Sequence, residues 1–271
     1  MSRIAATFER LRARGERAFF PFVTAGDPDL DTTEALILAF VLSGADGLEI
    51  GVPFSDPIAD GPTIQRSSQR ALERKTSLRR VLELVKRVRP KVDVPLLLMG
   101  YANPFLAMGE EAFARAAAEV GVDGVICPDL PPEEGEGFYA ALERAGVDPV
   151  LLAAPTTKPE RLAALARRTR GFLYYVALTG VTGARSAVAA DLRAGVERVR
   201  GVSDVPVLVG FGVSTPEQAR EIGEYADGVV VASALIDRIE QAAGREEAVD
   251  AAARFVAELK APLREPRRTA R

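Results

Sequence analysis

The 271-residue chain has no histidine and a single cysteine. Without histidine, and with Cys127 isolated, the usual ligands of a zinc centre are missing, and no metal site is expected. Any proton transfer falls to Asp, Glu, Tyr or Lys. One cysteine cannot close an internal disulfide, which suits a reducing compartment. No apolar run is long enough to cross a bilayer, and "MSRIAATFERLRARGERAFF" lacks the continuous apolar segment of a signal peptide, so a cytoplasmic location is expected. The formal net charge of −3 leaves no basic footprint for nucleic acid. Only the end "REPRRTAR" is strongly basic, and residues 263–271 read as a frayed, solvated tail.

What is abundant is apolar: hydrophobic residues make up 48% of the chain, enough for a substantial core. They fall into eight short runs, "AFFPFVTA", "GLEIGVPF", "VPLLLMGY", "GVICPD", "DPVLLAAP", "FLYYVALT", "VPVLVGFG" and "GVVVAS". Each is apolar nearly throughout, as parallel strands covered on both faces are. Longer amphipathic stretches alternate with them, among them "DTTEALILAFVLSG" and "KPERLAALARRT". Eight strand–helix repeats in this length predict one (β/α)8 barrel over residues 1–262, with "IAATFERLRARG" as an extra N-terminal helix covering its floor. An open doubly wound sheet is the alternative, but no G-x-G-x-x-G follows a strand. A weak repeat, "GADGLEIG", "GVDGVICP", "GVDPVLLA" and "YADGVVVA", marks the turns into four strands. It gives Asp46, Asp123, Asp148 and Asp227 a structural reading on the stability face.

Three constellations lie at the other face, where strands run into βα loops. Glu49 sits inside an apolar strand between Leu48 and Ile50, and Asp60 lies in the long loop "GVPFSDPIADGPTIQ" that follows. A carboxylate there either pairs with an arginine or backbone amide or faces a cavity, where desolvation lets it donate and accept protons near neutral pH. Asp60-Gly61-Pro62 reads equally as a turn into a helix. The loops "TGVTGARS", "GFGVSTPEQ" and "VVVASALIDR" follow strands six, seven and eight with small residues. Gly183, Gly212, Ala232 and Ser233 are therefore candidates for a phosphate cradle of backbone amides. Phe22, Tyr101, Tyr174 and Phe211 are candidates for an apolar pocket beside it. Lys75, Lys86, Lys91, Lys158 and Lys260 all lie outside the strand runs, which argues against a Schiff-base lysine.

Over nearly its whole length the chain resembles the tryptophan synthase α subunit family, through "FVTAGDP", "LEIGVPFSDPIADGPTIQ", "MGYANP", "GVDGVICPDLPPEE", "GVTGAR" and "GFGVSTPEQ". The resemblance implies a (β/α)8 barrel that cleaves indole-3-glycerol phosphate to indole and glyceraldehyde 3-phosphate. It places Glu49 as catalytic acid/base, Asp60 as the carboxylate engaging the indole nitrogen, and Tyr174 near Glu49. It also implies an indole pocket of Phe22, Ile64 and Phe211 and a phosphate site of Gly183, Gly212, Ala232 and Ser233. Family members commonly carry Gly-Ser where this chain has Ala232-Ser233. Thr182 matches a lid threonine that contacts Asp60 on closure. Asp56, Pro57 and Asn103 look like residues facing a β subunit in an α2β2 heterotetramer, with pyridoxal phosphate in that partner and no cofactor in this chain. A stand-alone lyase releasing free indole, an inactive allosteric partner of a β subunit, and other phosphate-binding barrels are the alternatives.

Overall fold

In the computed structural model, residues 1–176, 185–210 and 212–266 are described. All eight apolar runs are strands: β1 Ala18–Thr24, β2 Leu48–Gly51, β3 Leu96–Met99, β4 Gly124–Ile126, β5 Asp148–Ala153, β6 Leu173–Val176, β7 Val207–Gly210 and β8 Gly228–Val231. They pair in parallel, in chain order, and β8 returns to β1 to close the barrel. The described helices are α1 Arg3–Arg14, α2 Leu30–Leu42, α3 Pro62–Glu73, α4 Leu78–Val88, α5 Ala102–Met108, α6 Glu110–Val120, α7 Glu136–Ala145, α8 Pro159–Arg168, α9 Arg185–Arg200, α10 Pro216–Gly223, α11 Ser233–Gln241 and α12 Arg245–Lys260.

The strand period of two divides the apolar residues into two cores. Leu48, Ile50, Leu96, Leu98, Leu173, Val207 and Val209 pack outward with the helices. The alternate positions Phe20, Leu97, Ile126, Val150, Phe172, Tyr174, Leu208 and Val230 fill the barrel interior. Helix α1 plugs the floor of that interior with Ile4, Phe8 and Leu11, whose spacing puts them on one face, and the Phe8 ring meets those of Phe20 and Phe172 at 6.3 and 6.0 Å. The N-terminal helix therefore covers the floor as its sequence implies.

The Asp turns do more than reverse the chain. Asp46, just before β2, accepts the Phe19 N–H of β1 at 2.9 Å; Asp123, before β4, accepts that of Leu96 at the start of β3 at 2.8 Å; Asp227, before β8, accepts that of Val207 in β7 at 3.0 Å. Each even strand thus clips the start of the odd strand before it. The fourth clip is Thr169, whose hydroxyl accepts the Leu151 N–H of β5 at 3.0 Å. Asp148 forms no such clip among the described residues; its own N–H goes to the Asp123 carbonyl at 2.9 Å. Cations complete the floor: Lys260, only 2% exposed, donates to Asp46 at 2.8 Å and to the Arg17 carbonyl at 2.9 Å, while Arg3 and Arg89 hold Asp123.

The expected domain limit at 262 needs correction. Leu263 is fully buried and its carbonyl accepts the Arg17 N–H at 2.8 Å. The Glu265 carbonyl accepts from the Arg17 guanidinium, and its carboxylate pairs with Arg220 at 3.1 Å. A buried leucine and paired charges hold this segment to the floor, so the packed fold continues through Glu265. The rest of the expected tail, 267–271, lies outside the described residues.

Candidate active site

Glu49 is the second residue of β2, paired in register with Phe22 of β1 and Leu97 of β3. Its neighbours Leu48 and Ile50 belong to the outer core, so alternation turns Glu49 into the barrel. It is 4% exposed, and its Oε2 has no hydrogen-bond partner among the described residues. Of the two readings left open by sequence, pairing or facing a cavity, the bare Oε2 goes against pairing. Burial, reinforced by the nearby charge of Asp60, pushes its carboxyl up to about 8, and no cation among the described residues offsets that rise. Glu49 therefore carries a proton at neutral pH.

Asp60 closes the loop after β2, directly before Gly61, the N-cap of α3, and Pro62, its first residue. It is thus part of the helix-entry turn and part of the mouth as well. Burial lifts its carboxyl to about 6, against the lowering effect of a hydrogen bond from the Tyr101 hydroxyl at 3.0 Å. Near neutral pH the pair holds one proton, on Glu49, and one charge, on Asp60. Tyr174 of β6 joins them from across the barrel: burial first, and then the two carboxylates, raise its phenol so that it stays a neutral donor.

Two glycines make room for the rings beside this pair. A Cβ on Gly51 would lie 2.4 Å from the Phe22 ring, and one on Gly210 would lie 2.4 Å from that of Tyr174. Ile64, half-buried in the first turn of α3, lies on the same βα side. Phe211, Thr182 and Gly183 lie outside the described residues.

Beyond the β7–β8 pair Gly210↔Val230 come Gly212 and Ala232. Gly212 has φ +40°, and a Cβ there would meet nothing within 4 Å. The helices that follow differ. Thr215 closes the start of α10 with a complete capping box, whereas Ala232 caps α11 with no side-chain hydrogen bond, leaving Ser233 exposed at the helix start. An uncapped helix start presents N–H groups and the positive end of the dipole to an anion. Asp56 and Asn103 are exposed and Pro57 is half-exposed, on the loop after β2 and on α5.

Sequence reading placed Tyr101 in an apolar wall and missed its polar task. Its hydroxyl donates to Asp60 and accepts the Ala59 N–H at 3.0 Å. A tyrosine in "MGYANP", right after an apolar run, carries the signal: a buried phenol needs a partner.

A closed (β/α)8 barrel with coupled carboxylates at its C-terminal mouth, beside an open helix start, defines an acid–base barrel enzyme. Comparison with known proteins makes this specific. Residues 8–264 match the family model described as tryptophan synthase alpha chain. The tryptophan synthase alpha chain of Citrifermentans bemidjiense is 55% identical over 246 residues, covering 91% of this chain and 92% of that one. That of Geotalea uraniireducens is 51% identical over 264 residues, covering 97% and 98%. Among solved structures, tryptophan synthase subunit alpha of Legionella pneumophila superposes with a TM-score of 0.90 at 38% identity, over 97% of this chain and 98% of that one. A chain of Mycobacterium tuberculosis tryptophan synthase gives 0.89 at 40% identity, over 97% and 99%. The chain belongs to the tryptophan synthase alpha chain family. It is a carbon–carbon lyase of tryptophan biosynthesis, cleaving indole-3-glycerol phosphate to indole and glyceraldehyde 3-phosphate.

Proposed function

We propose that this cleavage runs on the Glu49–Asp60 pair. The observation that carries the reading is the buried carboxyl of Glu49, one oxygen of which has no partner among the described residues, protonated beside an ionised Asp60. Glu49 delivers its proton to indole C3, which makes the ring an electron sink. The resulting Glu49 carboxylate takes the proton of the adjacent glycerol hydroxyl, the carbon–carbon bond breaks, and its electron pair returns to the ring as indole leaves. The hydroxyl carbon becomes the aldehyde of glyceraldehyde 3-phosphate, and Glu49 ends protonated as it began. Asp60 accepts the indole N–H and stabilises the positive charge that develops there. Tyr174 lies beside Glu49 as a neutral donor.

Phe22, Ile64 and Phe211 form the indole pocket in this reading, and Gly183, Gly212, Ala232 and Ser233 hold the phosphate with Thr182 in the lid. The open start of α11 supports the phosphate assignment. Asp56, Pro57 and Asn103 face a β subunit in an α2β2 heterotetramer, and pyridoxal phosphate belongs to that subunit. The chain works in the cytoplasm; none of its described helices is long and apolar enough to cross a membrane. The test is indole release from indole-3-glycerol phosphate by the purified chain, with and without its cognate β subunit. Weak release that rises strongly with β supports the reading. High release indifferent to β favours a stand-alone lyase, and none in either condition removes the assigned chemistry.

A further inference from the structure

Asp60 sits at the end of a loop, while the chemistry assigned to it needs a carboxylate held at one place. The loop and α3 hold only its backbone: the Asp60 N–H donates to the Pro57 carbonyl at 3.0 Å and its carbonyl accepts from the Gln65 side chain at 2.9 Å, and neither bond reaches the carboxyl. The restraint comes from Tyr101, in the short link between β3 and α5. Its backbone is pinned on both sides, by the Gly100 N–H on the Ile126 carbonyl at 3.1 Å and the Ala102 N–H on Asp129 at 2.9 Å. Its ring is buried and stacks on Phe54 at 5.2 Å between centroids. Its hydroxyl, at the tip of this fixed arm, accepts from Ala59 and donates to Asp60. Phe54, Ala59 and Asp60 thus all rest on one side chain.

We propose that Tyr101 is a positioning residue of the lyase: its hydroxyl holds the Asp60 carboxylate in place and joins it to the backbone of the loop that carries it. The proposal rests on the assignment of Asp60 given above. A phenol O–H can donate to only one acceptor, and here it is spent on the carboxylate, because the backbone N–H of Ala59 fills its acceptor side. The bond stabilises the ionised form of Asp60, the form that receives an indole N–H. Among the described residues, the titratable groups facing this pair are Glu49 from β2, Tyr174 from β6 and Asp129 from the loop after β4, and no arginine or lysine among them shares in the balance.

Tyr101→Phe keeps the ring and its stack and removes both hydrogen bonds. Measured beside Asp60→Asn, it is expected to lower kcat about tenfold with KM within about twofold, and to move the acid limb of the kcat/KM profile up by about half a pH unit. A purely structural role would lower the melting temperature and leave the profile's shape unchanged. An inactive Asp60→Asn beside a Tyr101→Phe with wild-type kcat and acid limb overturns the positioning role and leaves the Asp60 assignment standing. An active Asp60→Asn overturns both. Should Tyr101→Phe not fold, the wild-type protein still decides: the Ala59 amide resonance is expected to titrate with the midpoint of the Asp60 carboxyl, and an amide insensitive to that titration refutes the link.

Discussion

The two ends of the barrel treat carboxylates in opposite ways. At the floor, Asp46, Asp123 and Asp227 each accept a backbone N–H from a neighbouring strand and each meet a cation, Lys260, Arg89 and Arg200 respectively. At the mouth, among the described residues, Glu49 has an oxygen with no partner and Asp60 has a phenol, with no cation offsetting the desolvation of either. The same residue type serves as fastener in one place and, in the proposed mechanism, as reagent in the other. At Asp46 burial still raises the carboxyl, but Lys260 and the Phe19 N–H work against that rise; at Glu49 nothing among the described residues does.

The contrast breaks most sharply at Glu49. Glu49→Gln is expected to cut indole release by on the order of 10³-fold. The same variant should be more stable than the parent in alkali. The folded-state pKa of Glu49 lies above its unfolded value of 4.5, at about 8, so stability linked to its proton is lost as pH rises across that window. Glutamine has no proton to lose, and thermal melts at pH 6 and pH 9 should show its advantage growing with pH. Asp60→Asn should reduce turnover about 10²-fold, through loss of the charge that the proposed mechanism sets against the ring nitrogen.

At the floor the signs reverse. Asp46→Asn leaves the buried ammonium of Lys260 with the Arg17 carbonyl and, among the described carboxylates, Glu16 at 3.5 Å, and should cost about 3 kcal/mol in denaturant unfolding while leaving kcat unchanged. For the parent, kcat/KM should rise through about pH 6 as Asp60 ionises and fall through about pH 8 as Glu49 loses its proton. The smallest effect is expected at the open helix start. In the phosphate site proposed there, Ala232→Gly removes a methyl and should lower KM by about threefold or less, since the backbone N–H groups are there in either case.

The barrel was legible because strands buried on both faces are apolar throughout, so all eight stood out without alternation. Glu49 was legible for the same reason, as a charge interrupting such a run. The floor was read less fully. Thr169 does the work of a clip without the Asp that marks the other three, and Asp148 carries that mark without making a clip. A basic end suggested fraying, yet Leu263 is buried and Glu265 paired, because a few apolar and charged contacts outweigh local composition. Tyr101 was read by its ring alone. Composition gives no sign of which acceptor a phenol will find, since Asp60 comes to it through the path of a loop.

The most direct measurement is the titration of the Glu49 carboxyl by carbon NMR, in the parent protein and in Asp60→Asn. A midpoint near 8 in the parent, falling in the variant but staying above 4.5, would show a buried carboxyl held protonated by desolvation first and by its neighbour's charge second. A midpoint near 4.5 in the parent would mean that Glu49 is an ordinary anion, and the acid–base role built on it would fall.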